Sequence, residues 1–288
     1  MRSEYTRLDN MIDILLATYN GEKYLKQQLE SIFAQTNQDW RILVRDDGSN
    51  DNTAGIVKDC MAQHPGRISM ISDDKGRHGA CLNFGKLLEQ STAEYIMFSD
   101  QDDVWLPNKI ELTLCLMKSA ELVYPNMPLL VHGDMRVVDS NLNIMADSHW
   151  SLTKISPFIG DDVNKVMVEG LVSGNTMMIN KMAKEVSVPI PEEALGHDRW
   201  ISIKVAKNGR IVYSSIPCTL YRQHFSNYIG SREKNVGLFV RNMYHIKRQY
   251  LVYQRIYSMA KKCDHDFTWW KFIKTKIILL FIKFFRSF

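Results

Sequence analysis

The chain has no glycine-rich phosphate loop. Neither GxGxxG nor GxxxxGK[ST] occurs, so phosphates are not cradled in the dinucleotide-fold or P-loop manner. It has no CxxC pair. Its five cysteines, Cys60, Cys81, Cys115, Cys218 and Cys263, are scattered and odd in number. That pattern suggests neither a disulfide framework nor a zinc site, and it points to the reduced cytosol. The first ten residues are polar and carry no signal peptide. The unbroken apolar run Ile277–Ile282 is far too short to span a bilayer. Charge of one sign is also scarce: 36 basic and 32 acidic residues leave a net charge of +4, which implies no nucleic-acid partner.

What is present is apolar material in periodic pieces. With 288 residues, 45% of them hydrophobic, the chain can bury a large core, as one large domain or one domain with an appendage. Short apolar runs at 11–17, 41–44, 68–71 and 95–98 read as strands. Between them, helical spacing begins at Glu22, at Asn52 or Thr53, and at Ala80. Strand and helix alternate at parallel-crossover spacing, so the first 105 residues read as a doubly wound half-sheet.

The fourth run leads into Phe98-Ser99-Asp100-Gln101-Asp102-Asp103-Val104-Trp105, and Leu106-Pro107 then opens a helix. Three carboxylates therefore stand where a strand ends, the place at which open α/β sheets hold ligands. Like charges this close repel unless a cation, protons or bulk water relieves them. Asp100 and Asp102 share a face of extended chain, and hard divalent ions take oxygen ligands of this kind. The plain alternative is an acidic surface turn. At the end of the second strand, Asp47 can accept from an imide N–H of uracil or thymine, or can simply cap its turn. Asp46 points the other way and ties down the backbone.

Beyond Trp105, strands are expected at 129–132, 135–138, 211–213 and 218–220. Residues 146–163, with His149, Trp150 and Phe158, read as a loop or small-helix insert at an acceptor site. Residues 171–179 are apolar around a small polar centre that suits close approach to a ligand. Asp198 precedes a helix; it is either a helix N-terminal charge or a general base. Arg222, His224 and Asn227 crowd one loop. From Arg241 onward eleven basic residues face only Asp264 and Asp266. With Trp269, Trp270 and the phenylalanines, this helical tail fits an interfacial helix on anionic lipid, or else a core or oligomer-contact helix.

Four segments together resemble the family 2 inverting glycosyltransferases of the GT-A fold, especially bacterial rhamnosyltransferase-like members that build surface polysaccharides. They are 16–21 (Leu-Ala-Thr-Tyr-Asn-Gly), 44–49 (Val-Arg-Asp-Asp-Gly-Ser), 98–105, and 221–224 (Tyr-Arg-Gln-His). The resemblance implies a GT-A domain over 1–230, a mostly parallel sheet flanked by helices, and a basic, aromatic helical tail over 231–288. It also implies a site. Thr18, Tyr19, Asn20 and Gln101 would line the nucleotide-sugar pocket, and Asp47 would hold the base. Asp100 would lie near the ribose, and Asp102 would bind Mg²⁺ or Mn²⁺, with His224 as a further ligand. Arg222 would close over the diphosphate. Asp198 would be the catalytic base, although His197 stands where many members have glutamate.

The implied reaction moves a sugar, with L-rhamnose from dTDP-rhamnose as first choice, onto a lipid-linked saccharide. UDP-galactose, UDP-glucose and UDP-N-acetylhexosamine remain alternative donors. The protein would sit peripherally on the cytoplasmic face of the membrane. Two other classes compete: a catalytically silent module on the same scaffold, and a nucleotidyltransferase. The first would lose the acidic strand ends, which are all present. The second would want a glycine- and lysine-rich loop, which 18–22 does not supply.

Overall fold

A computed structural model describes residues 11–71, 76–224 and 238–285, with side chains in the last stretch from residue 249. The first strands form where the periodicity places them. β1 (Ile12–Thr18) pairs in parallel with β2 (Trp40–Asp46), and β2 in parallel with β3 (Ile68–Met70). On its other side β1 pairs in parallel with β4 (Tyr95–Ser99). Helices α1 (Leu25–Phe33), α2 (Thr53–Gln63) and α3 (Ala80–Gln90) make the crossovers. Ile12, Ile14, Leu15 and Leu16 are all fully buried, as expected of a parallel strand covered on both faces. Each such side chain contributes about 1.5–3 kcal/mol of burial.

The second half completes the sheet. The two-residue strand β5 (Val104–Trp105) is followed by α4 (Lys109–Val123), β6 (Leu129–Gly133), β7 (Arg136–Val138) and β8 (Ile144–Ala146). The insert resolves into a short helix α5 (His149–Thr153), a 3₁₀ turn (Pro157–Asp161) and α6 (Val163–Val168). A second 3₁₀ turn (Gly174–Thr176) leads to β9 (Met178–Asn180), α7 (Lys181–Ser187), α8 (His197–Asn208), β10 (Arg210–Ser214) and β11 (Thr219–Arg222). The seven-stranded sheet runs β10-β6-β9-β4-β1-β2-β3, and β9 alone is antiparallel to its neighbours β4 and β6. Every other strand therefore ends on the same edge. A smaller sheet, β5-β11-β7-β8, stands beside that edge.

The helix expected at Pro107 begins two residues later, with Asn108 at its N-cap. β5 and β8 were not expected: two or three residues carry no readable period. β5 is held from outside, its Trp105 N–H donating to Ser31 Oγ (3.0 Å).

Two apolar layers cover the sheet. One contains Leu15, Phe98, Leu130 and Ile211 with Ile201 and Val205 of α8. The other contains Ile14, Met97, Val131 and Met178 with α1, α2 and α4. The tail forms α9 (Leu238–Cys263) and α10 (Trp269–Phe285). Met259, Ala260, Phe272 and Leu279 of these helices join the first layer. The expected boundary between 230 and 231 lies outside the described residues, as do Asn227 and the start of the tail.

α10 is mixed on both faces. Lys276 and Lys283 turn inward onto Glu169 (3.4 and 3.0 Å), while Trp270, Ile277, Phe281 and Phe284 face out. Burial pushes the Glu169 carboxyl up, but the two ammonium groups outweigh it and hold the group below its ordinary value. Among the described residues no helix is long and apolar enough to cross a membrane.

Candidate active site

The strand tips are tied together before any ligand arrives. Asp46 accepts from Thr18 Oγ1 (2.8 Å), Ser49 Oγ (2.6 Å) and Ser49 N–H (2.8 Å), so it fastens the backbone as expected. Gln101 bridges β4 to β1. Its Oε1 accepts from Tyr19 N–H and its Nε2 donates to Tyr19 C=O, both at 2.9 Å. Gly21 is needed for this: a Cβ there would stand 2.2 Å from Gln101 Oε1. Asn20 takes positive φ (47°); its N–H donates to Ser49 Oγ and its Oδ1 accepts from Asn50 N–H, both at 2.8 Å.

Past Gln101 the acids divide. Asp102 is half-buried and its Oδ2 lies 2.9 Å from His224 Nε2, so the two expected metal ligands meet across 122 residues. The His224 ring packs on Tyr24 with centroids 4.8 Å apart. Asp103 is fully buried and accepts from Arg222 N–H (3.1 Å) and from Asn175 Nδ2. Burial, then the neighbouring Asp102, pushes its carboxyl up to about 7. Asp100 is raised well above its ordinary value by burial, then by Asp103, Asp102 and Asp198. His197 in the first turn of α8 lies 5.3 Å from the Phe98 ring at the end of β4, which sets that turn, and Asp198 with it, beside the base of the acidic loop.

Behind the loop lies a buried cation. Lys109 opens α4 and is 1% exposed; its ammonium donates to Asn175 C=O and to Thr219 Oγ1 (2.6 Å) and lies 4.5 Å from the Trp105 ring centroid. Burial brings its pKa down to about 8. Asp103, Asn175, Lys109 and Thr219 thus bind four separate segments into one polar knot under Asp102.

Two expected contacts find other partners. Asp47 is buried, paired with Arg45 (3.0 Å), and accepts from His78 N–H (2.8 Å) and Gly79 N–H (2.7 Å). Its carboxylate holds the 76–79 turn rather than standing open toward a base. Arg222 is 2% exposed. Its guanidinium donates to Asp102 C=O (2.8 Å), Ser140 C=O (2.8 Å) and Gln27 Oε1 (2.5 Å) and lies 4.4 Å from the Tyr24 ring centroid. It braces the acidic loop from behind, because a buried guanidinium must fill its donors with fixed carbonyls.

Asp198 sits in the first turn of α8, half-buried, its Oδ1 accepting from Arg199 N–H (2.7 Å). His197 points away, buried against Phe84 (4.0 Å) and Phe98 (5.3 Å). Sequence reasoning gave no role to Asp103 and missed Lys109, Asn175 and Arg77, whose guanidinium lies 4.0 Å from the Tyr19 ring centroid.

Among the described residues no three His, Cys, Asp or Glu side chains form a ready-made metal cage. Asp102 with His224 nevertheless fits a hard divalent ion of the kind that takes one or two protein ligands and completes its shell from substrate phosphates and water.

Known proteins resemble this chain in sequence and in fold. Residues 13–186 match the family model "Glycosyl transferase family 2". The chain is 30% identical over 244 residues to the dTDP-rhamnosyl transferase RfbG of Shigella flexneri, covering 81% of each. It is 26% identical to the UDP-Glc:alpha-D-GlcNAc-diphosphoundecaprenol beta-1,3-glucosyltransferase WfgD of Escherichia coli, over 90% of this chain and 97% of that one. A mannosyltransferase of Pyrobaculum calidifontis, solved with GDP-Man and Mn²⁺, superposes with a TM-score of 0.59 at 15% identity, over 93% of this chain and 69% of that one. With the acidic strand ends, the single antiparallel strand and the family match over most of the sheet, the chain belongs to glycosyl transferase family 2 and is a glycosyltransferase of the GT-A fold.

Proposed function

We propose that the protein transfers L-rhamnose from dTDP-rhamnose, with inversion, to a lipid-linked saccharide in surface polysaccharide (O-antigen or capsule) biosynthesis. The observation that carries the mechanism is the meeting of Asp102 and His224 at 2.9 Å, with the first turn of α8, which bears Asp198, set against Phe98 at the end of β4. The dTDP-rhamnosyl relative supports the donor, and the diphosphoundecaprenol-linked substrate in the Escherichia coli relative's name supports the acceptor.

Asp198 takes the proton from the acceptor hydroxyl while that oxygen bonds to the anomeric carbon. The bond from that carbon to the nucleoside diphosphate breaks in the same step, so the configuration inverts. Mg²⁺ or Mn²⁺, when held by Asp102 and His224, would neutralise charge on the departing diphosphate. Asp100 lies toward the ribose, and Tyr19, Asn20 and Gln101 shape the pocket edge with Thr18 beneath them. Arg222 acts at one remove, by fixing the Asp102 carbonyl.

A donor panel of dTDP-rhamnose, UDP-galactose, UDP-glucose and UDP-N-acetylglucosamine, scored by released nucleotide with and without EDTA, tests this. dTDP release that EDTA abolishes is expected. Pyrophosphate release would instead indicate nucleotidyl transfer, and turnover indifferent to chelator would remove the metal.

The same reading places the protein peripherally on the cytoplasmic membrane face. Its support is the outward apolar face of α10 with exposed Lys271 and Lys274 beside it. Co-sedimentation with anionic vesicles, lost in the double variant Trp270→Ser, Phe281→Ser, is expected; sedimentation unchanged in that variant would exclude α10 as the anchor.

A further inference from the structure

A ridge of aromatic rings stands on the ligand-bearing edge of the sheet, on the far side of β9 from Asp100. The neighbours in order are β4, β9, β6 and β10. Adjacent strands lie about 4.8 Å apart, so the ends of β6 and β10 are roughly 10 to 15 Å from the end of β4. His132 and Tyr213 occupy those ends. They are in step with Leu130 and Ile211, which share an apolar layer with α8. Side chains two apart on a strand share a face. The ridge and the helix bearing Asp198 therefore lie on the same face of the sheet.

The ridge is built to hold its shape. Asp134, directly after β6, accepts from Trp150 N–H (3.2 Å) and from Ser148 Oγ (2.5 Å), which fixes α5 over the strand end. The Trp150 ring then meets His132 (5.5 Å, 62°) and Tyr213 (6.0 Å, 75°), and Phe158 meets Tyr213 (5.4 Å, 84°). These are edge-to-face contacts, which lock the rings without stacking their flat faces on one another. Phe158 remains 62% exposed. Beneath the ridge His132 is 1% exposed, and neither ring nitrogen has a hydrogen-bond partner among the described residues. The ridge thus sets a rigid aromatic surface, with Phe158 outermost, over a polar strand end on the face that carries Asp198.

We propose that Trp150, Tyr213 and Phe158 form the platform for the saccharide part of the acceptor. A pyranose ring has one face of C–H groups that stacks on the electron-rich face of an aromatic ring, and its hydroxyls seek hydrogen-bonding atoms at the rim. The platform holds the acceptor so that its nucleophilic hydroxyl reaches back across β9 toward Asp198. This rests on the glycosyltransferase mechanism above and adds the residues that recognise the acceptor.

The test separates the two. Saturation-transfer NMR on the full chain, with an alkyl analogue of α-D-GlcNAc diphosphate as probe, needs no turnover. Signal on the sugar protons is expected for the native chain. It should fall at least threefold in Phe158→Ala, an exposed site whose loss opens no core, and in Trp150→Ala. Trp150→Phe should restore most of it. In turnover with the same probe, acceptor KM should rise about tenfold in the two alanine variants while donor KM stays within twofold. Sugar signal that is absent in the native chain, or unchanged in both alanine variants, overturns the platform. So does a shift in oligomeric state caused by Phe158→Ala, which would make the ridge a contact between copies. Absence of turnover with a normal NMR signal counts against the reaction and leaves the platform standing.

Discussion

The central sheet carries a carboxylate near each of its two edges, and the two are treated in opposite ways. Asp13, near the start of β1, accepts from Arg41 Nε (2.6 Å), Ser91 Oγ (2.7 Å), Thr92 N–H (3.0 Å) and Ala93 N–H (3.2 Å). Burial pushes its pKa up, but the Arg41 and Ser91 hydrogen bonds and the Arg41 charge bring it below the ordinary value. Asp100, just past the end of β4, is raised instead, with three acids around it. One edge has satisfied its charge and the other has accumulated it. Lys109 relieves only part of that repulsion, and acids gathered and shifted in this way mark a functional edge rather than a stabilising one.

Substitutions at the two edges should therefore part activity from stability. Asp198→Asn is expected to lower kcat by about 10²- to 10⁴-fold. Nucleotide affinity and melting temperature should stay nearly constant, as read by steady-state kinetics, calorimetric titration and thermal melts. Asp13→Ala should do the reverse. It leaves the buried Ser91 hydroxyl and the Ala93 N–H without their acceptor, a loss of about 2 to 3 kcal/mol in denaturant unfolding. Turnover per folded molecule should hardly change. If Asp13→Ala instead removed activity from a stable protein, the contrast between the edges would fail.

A finer effect sharpens the comparison on the ligand edge. Burial brings the His132 pKa down to about 3 from an ordinary 6.5. Below pH 6.5 the unfolded chain takes up a proton that the folded chain refuses. Stability then falls as pH falls, by roughly 1.4 kcal/mol per pH unit, until His132 itself protonates near pH 3. His132→Phe should flatten that limb relative to the native chain in melts between pH 7 and pH 4. A parallel pair of curves would show that His132 is not neutral in the fold.

The sequence made the first half of the sheet readable because buried parallel strands leave apolar runs and their crossover helices leave a 3.6 period. It also made the meeting of Asp102 and His224 expected, although only through resemblance, since nothing local joins positions 122 residues apart. What it concealed was direction. By resemblance Arg222 reads as a group that closes over a diphosphate, and Lys109 draws no reading at all, yet both are almost fully buried. Asp103 reads as one more acid in a run, yet it is the member that holds β11 in place through Arg222 N–H. Such roles depend on partners from Asn175 and Thr219, and no window of neighbouring residues contains them.

Gln101 is the uncharged residue among four, and its clasp on Tyr19 explains why. The side-chain amide offers one acceptor and one donor to a single peptide unit, so it extends the pairing of two parallel strands by one artificial rung. A carboxylate has nothing to donate to the Tyr19 carbonyl and would push against it. The neutrality of that one position is thus a requirement of the scaffold, and it sets how far apart the first and fourth strand tips can drift.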